Sequence, residues 1–170
     1  MRVTGHSLPP FEQVVEEHGG AVLRFCAVQA GAARAEDVFQ ETMLAALRAY
    51  DRVRDAEAIR SWLFAIAARK AVDAHRARAR TPEPVADLEA LAGGEDAPAP
   101  DEGIWREVRT LPEKQRAAVT LRYLADLSYG EIAGIMATSE DAARRNVFEG
   151  LRRLRDDLTK TGAEASSGHD

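Results

Sequence analysis

The sequence predicts an all-α protein built as two small helical domains joined by an acidic, Pro/Gly-rich linker, and three observations carry that expectation. Ala and Arg recur along the chain while β-branched and aromatic residues are scarce, a balance that favours helix over strand. Apolar residues return at helical spacing through most of the chain. Residues 81–103 break the pattern: they hold four of the seven prolines, three glycines, seven acids and no Lys or Arg. That composition buries little apolar surface, so the segment is expected to be a flexible linker.

The first domain is expected over residues 10–80. Phe11, Val14, Val15, His18 and Val22 keep helical spacing, although Gly19 and Gly20 weaken the middle of that helix. After "QAGAARAED", Phe39, Met43, Leu47 and Tyr50 mark the apolar stripe of a second amphipathic helix. A third begins near Ala56, with Ile59, Trp62, Leu63 and Ile66 on one buried face. Its far end changes character, because Arg69, Asp73, Arg76 and Arg80 form an opposite stripe with Lys70 beside it.

The second domain is expected over residues 104–158. Pro112 suits the first position of a helix running to about Tyr123. Ser128 and Glu131 have the spacing of a capping box, in which each side chain satisfies an amide of the other's turn. That helix ends near Met136, a turn of residues 137–139 follows, and a long helix then buries Ala143, Val147, Leu151, Leu154 and Leu158. Helix, short turn and helix are the parts of a helix-turn-helix. Arg144, Arg145, Arg152 and Arg155 are left facing outward. Residues 159–170 are expected to be a disordered tail.

Composition bounds the function. The net charge of −5 argues against a nucleic-acid partner until it is mapped, for the linker's seven acids leave the remainder at +2. No run reaches the roughly 20 apolar residues of a membrane span, and "MRVTGHSLPP" has no apolar stretch resembling a signal peptide. The single cysteine, Cys26, excludes an internal disulfide and points to the cytoplasm. His6, His18, His75 and His169 are scattered, without Cys or carboxylate at metal-ligand spacing. No Gly-rich phosphate loop follows a strand and no Ser or Cys has a visible base partner, so neither an enzyme nor a cofactor is expected. Arginines on a helix are usually just a solvated face, and a tryptophan is usually just core; what gives these weight is their order along the chain.

Taken in that order, the segments resemble the extracytoplasmic-function (ECF) group of bacterial sigma-70 factors. "AEDVFQETMLAALRAY" is similar to the family segment that docks on core RNA polymerase. "SWLFAIAARKAVDAHRARAR" resembles the helix that meets the minus-ten element and helps to open it. "LPEKQRAAVTLRYLADLSYGEIAGIM" looks like the opening of the region 4 helix-turn-helix, which binds the minus-thirty-five element. The resemblance implies that Glu36, Asp37, Phe39, Gln40, Glu41 and Thr42 face the polymerase. It implies that Arg52, Arg54, Trp62, Arg69, Lys70, Asp73, Arg76 and Arg80 meet the melted promoter, with the loop "DRVRDAEA" receiving a flipped base. Ser128, Tyr129, Glu131, Ser139, Glu140, Asp141, Ala142, Arg144 and Arg145 would form the upstream DNA site. Implied partners are core polymerase, promoter DNA and an anti-sigma factor, with the free protein monomeric. The linker's acids suggest a mimic of nascent RNA, or simply a solvated spacer.

The second helix of the helix-turn-helix departs from the family. Asn146 and Glu149 stand where basic residues are usual, and Gly150 lies mid-helix at a cost of about 1 kcal/mol relative to alanine. Glu140 and Asp141 occupy the turn expected to approach DNA. Two rival readings follow: a sigma-like helical adaptor or decoy, and a free-standing helix-turn-helix regulator. The second would need a dimerisation segment to read two half-sites, and none stands outside the two bodies.

Overall fold

The computed structural model of the protein describes residues 7–80 and 102–166. The expected linker up to residue 101, with its suggested RNA mimicry, and the last four residues of the expected tail lie outside the described residues. Every regular element among those described is helical, and they fall into two compact units, each taken here on its own.

The first unit is a three-helix bundle of α1 (Phe11–Ala30), α2 (Ala32–Ala49) and α3 (Ile59–Arg80). Gly31 alone separates α1 from α2, at φ 87°, a conformation that glycine adopts without steric penalty. Two 3-10 turns, Tyr50–Arg52 and Ala56–Ala58, connect α2 to α3, and Asp55 caps the second by accepting from Glu57 N–H at 2.9 Å. The core is Val14, Val22, Phe25 and Cys26 from α1, Ala35, Val38, Thr42 and Ala46 from α2, and Ile59, Leu63, Phe64, Ala67 and Ala71 from α3. Phe25 and Phe64 meet edge to face at 5.5 Å, the arrangement their ring quadrupoles favour.

The apolar stripe expected on α2 is displaced. Phe39 and Met43 are half-buried, Leu47 is 54% exposed, and the bundle is packed by Ala35, Val38, Thr42 and Ala46 instead. Small side chains let α1 and α3 approach closely, and the bulky ones are left on the flank. On α3, Leu63 and Ile59 are buried as expected, while Trp62 and Ile66 are only half-buried and Phe64 takes a core position.

The second unit comprises α4 (Glu102–Arg109), α5 (Glu113–Tyr123), α6 (Tyr129–Met136) and α7 (Glu140–Ser166). Glu102 and Gly103, assigned to the linker by sequence, belong to α4, which had no expected counterpart. Burial of Val108 and Leu111 anchors it. Pro112 stands at the N-cap of α5 rather than inside it. The capping box of α6 is complete: Glu131 N–H donates to Ser128 Oγ and Ser128 N–H donates to Glu131 Oε2.

The disordered tail expected from residue 159 is corrected over its described part, because α7 runs on to Ser166. Extending an existing helix avoids the cost of nucleating a new one. The Thr159 and Thr161 hydroxyls donate back to the carbonyls of Arg155 and Asp157. Ala143, Val147 and Leu154 are buried as expected, whereas Leu151 is half-buried and Leu158 is 49% exposed. Gly150 also faces inward. A methyl added to it would lie 2.7 Å from Val119 Cγ2, so α7 packs closely on α5 at this glycine.

Candidate functional site

Along α2, Glu36, Asp37, Gln40 and Glu41 form an exposed polar ridge, and Phe39 is half-buried beside it. Thr42 does not belong to that ridge. It is fully buried, and its hydroxyl donates to Val38 O at 2.7 Å. A hydroxyl satisfied within its own helix needs neither water nor a partner. Beneath it, burial pushes the Cys26 thiol up to about 12, the smaller hydrogen-bonding influences around it opposing the shift. The ridge instead continues into two residues that sequence reasoning placed elsewhere or passed over, Leu44 at 52% and Leu47 at 54% exposure. Their signal was that α2 has more large apolar residues than one buried stripe can hold.

The second group lies on and before α3. Arg52 and Arg54 are exposed on the connecting loop. Trp62 tilts against Tyr50 at 6.2 Å, and Tyr50 meets Phe11 edge-on at 5.3 Å while its hydroxyl donates to Pro9 O. The outer side of Trp62, with Ala45, Ala49, Ala65 and Ile66, lines an open cleft of about 300 Å³ whose remaining walls are Arg69 and Lys70. Apolar floor and cationic rim are thus brought together within about two to three turns of α3, between Trp62 and Lys70. Asp73, Arg76 and Arg80 continue the exposed stripe beyond it.

In the helix-turn-helix, several named residues spend their side chains on the fold. Ser128 and Glu131 cap α6. Ser139 caps α7 by accepting from Ala142 N–H at 3.1 Å, and Ala142 itself is half-buried. Tyr129 is held between two guanidinium groups, Arg122 at 4.8 Å and Arg144 at 4.7 Å from its ring centroid. Arg144 also donates to Glu140 at 2.8 Å, an exposed pair one helical turn apart. Glu149 is engaged too, accepting from Gln115 Nε2 at 3.2 Å. Asp141 and Arg145 remain exposed, and on the same outer line of α7 stand Phe148, 66% exposed, and Arg152. Phe148 thus lies outside the core.

Among the described residues no group of three or more His, Cys, Asp or Glu is arranged to hold a metal ion, and no helix is long and apolar enough to cross a membrane.

Comparison with known proteins bears on both units. Residues 14–81 match the pattern described as Sigma-70 region 2, and residues 101–154 match Sigma-70, region 4. The chain is 32% identical over 164 residues to the ECF RNA polymerase sigma factor SigD of Mycobacterium tuberculosis (strain ATCC 25618 / H37Rv), covering 88% of this chain and 77% of that one. It is 30% identical over 127 residues to RNA polymerase sigma factor SigV of Bacillus subtilis (strain 168), covering 73% and 75%. A solved structure of the sigma factor RpoE in complex with the anti-sigma factor NepR, from Bartonella quintana, is similar in fold, with a TM-score of 0.72 at 20% identity over 88% of this chain and 96% of that one. Two region patterns in order, and relatives matched over most of their length, lead to one conclusion: the chain belongs to the extracytoplasmic-function group of the sigma-70 family of RNA polymerase sigma factors.

Proposed function

We propose that the protein binds core RNA polymerase through α2, carries it to promoters through α7, and assists strand opening through α3. The observation that carries this reading is the cleft on α3. Trp62 and Ile66 offer an apolar surface beside Arg69 and Lys70, and the stripe runs on through Arg76 and Arg80. An aromatic surface next to phosphate-facing cations suits an unpaired strand, since bases stack on one while backbone charges pair with the other. Double-stranded DNA would use the cations alone.

The ridge Glu36, Asp37, Gln40 and Glu41, with Leu44 and Leu47 as its apolar part, has the make-up of a docking surface in which charge sets orientation and apolar contact supplies affinity. On α7, Arg145 and Arg152 flank an exposed Phe148, and they are the free groups for the major groove; Arg144 is already engaged. We infer modest affinity of this unit for DNA without polymerase. An anti-sigma factor, as accompanies the Bartonella relative, would hold the protein inactive in the cytoplasm until a signal arrives.

The test is run-off transcription by core polymerase with the full chain, on DNA from upstream of its own coding sequence. Promoter-specific transcripts, lost in Arg69→Ala/Lys70→Ala but retained on a pre-opened template, are expected. Polymerase binding without transcripts would leave only the decoy reading, and sequence-specific DNA binding without polymerase the free-regulator reading.

A further inference from the structure

The arginine-bearing end of α3 is held by an unusual pair of contacts. The buried core of the first unit stops at Ala71, and residues 72–80, which carry Asp73, Arg76 and Arg80, contain no buried side chain. A helix end without apolar anchoring opens easily. Two hydrogen bonds reach it from the corner where α1 turns into α2. His75 Nε2–H donates to Gln29 O at 2.6 Å, and Arg34 Nη1 donates to Ala74 O at 3.0 Å.

The bonds fall on consecutive residues of α3 and run to opposite sides of Gly31, one to the last turn of α1 and one to the first turn of α2. Both acceptors are backbone carbonyls. Each bond joins a side chain of one element to the main chain of another: the His75 ring reaches from α3 to the α1 backbone, and the Arg34 guanidinium reaches from α2 to the α3 backbone. Arg34 also stands two residues before Glu36, so the same contact joins the docking ridge to the basic stripe.

We propose that Arg34 and His75 are positioning residues for promoter opening. They hold residues 72–80 in line with the cleft, so that Arg76 and Arg80 meet the separated strand together with Arg69 and Lys70. An interaction made by groups already in place loses no ordering entropy at the moment of strand capture. The proposal rests on the strand-opening role given above to α3.

The test uses the full chain with Arg34→Gln, His75→Ala and the double substitution. Amide hydrogen exchange over residues 72–80 is expected to accelerate about tenfold in each single variant and further in the double, with the rest of α1, α2 and residues 59–71 unchanged. Affinity for core polymerase should stay within about twofold, because the polar ridge keeps its side chains. Open-complex formation on duplex promoter should slow about tenfold, while a template with a pre-opened minus-ten bubble loses less than about threefold. A merely structural role would lower both templates alike. Unchanged exchange in the double variant, or equal losses on the two templates, overturns the proposal. Failure of the unaltered holoenzyme to open any promoter would overturn the strand-opening role itself, a result separable from the exchange measurement.

Discussion

Gly150→Ala sets two known effects against each other at one atom. Alanine is the better helix former by about 1 kcal/mol in a helix interior, so on an open surface the substitution would stabilise α7. Here the added methyl would lie 2.7 Å from Val119 Cγ2, with Gln115 Cβ and Leu111 Cδ1 each at 3.5 Å. Val119 is 3% exposed and β-branched on α5, so it has little freedom to turn aside. Overpacking of this kind costs about 1–3 kcal/mol. The steric cost should win, for a net loss of about 1 kcal/mol, which in a domain of this size lowers its melting temperature by about 4–8 °C.

The assay is thermal unfolding of the full chain followed by Trp105 emission in a Trp62→Phe background, so that the signal reports the second unit. Val119→Ala removes the opposing methyl and should rescue Gly150→Ala, giving a coupling of at least about 0.5 kcal/mol between the two sites. A rise in melting temperature on Gly150→Ala, or strict additivity of the pair, would refute the close-approach argument.

Three other outcomes are expected. Thr42→Val, which keeps the shape of a fully buried side chain, should leave polymerase affinity unchanged, whereas Glu41→Ala on the exposed ridge should weaken it in a binding titration. Cys26 should resist alkylation at pH 8 in the folded protein, its thiol being buried and pushed up to about 12, and should react only as the first unit unfolds, as mass spectrometry of quenched samples would show. Burial, helped by Arg60 and opposed by Glu17, holds the His18 imidazole below its ordinary 6.5. The folded state therefore prefers it neutral; stability is fully present above pH 6.5 and is lost as pH falls through the lowered value, and His18→Gln should flatten that acid limb in urea titrations.

The helices themselves were legible because periodicity and caps are local signals. The box at Ser128 and Glu131 and the turn after Met136 are each written within a few residues, whereas α2 begins at Ala32, inside the stretch 29–37 after which the second helix was expected. The buried face was harder to read. On α2 the large residues Phe39, Met43 and Leu47 point about a quarter turn away from the face that Ala35, Val38, Thr42 and Ala46 bury. Hydrophobic size identifies a stripe, but close helix packing selects small residues, and alanine carries little hydropathy signal. Site residues divide in the same way. The exposed cations of α3 could be read from spacing alone, whereas the engagement of Arg144 adds to an i, i+4 pair with Glu140 local to α7 a contact with Tyr129 that depends on how α6 and α7 meet.

That engagement bears on why acids stand at the start of the helix that would enter DNA. Glu140 lies in the first turn of α7, where the helix dipole favours negative charge, and its Oε1 holds Arg144 at 2.8 Å. Two roles then compete. If Glu140 restrains Arg144, Glu140→Gln should free a cation for phosphate. An exposed pair of this kind contributes about 0.3–0.5 kcal/mol, and a carboxylate is also removed from the DNA-facing side, so affinity should rise about two- to fivefold. The dependence of binding on salt should steepen by roughly one released counterion. If Glu140 instead accepts a hydrogen bond from a cytosine amino group, Glu140→Gln should weaken binding to the cognate promoter more than to a promoter changed at that base. Titration of holoenzyme on both promoters at three salt concentrations separates the two. The geometry favours restraint, because the Glu140 carboxylate is already committed to Arg144 and lies over Gly130 at the start of α6, leaving Arg145, Phe148 and Arg152 as the outer line of the helix. Weaker, base-dependent binding by Glu140→Gln would show that the acid reads DNA directly, and the restraint argument would fall.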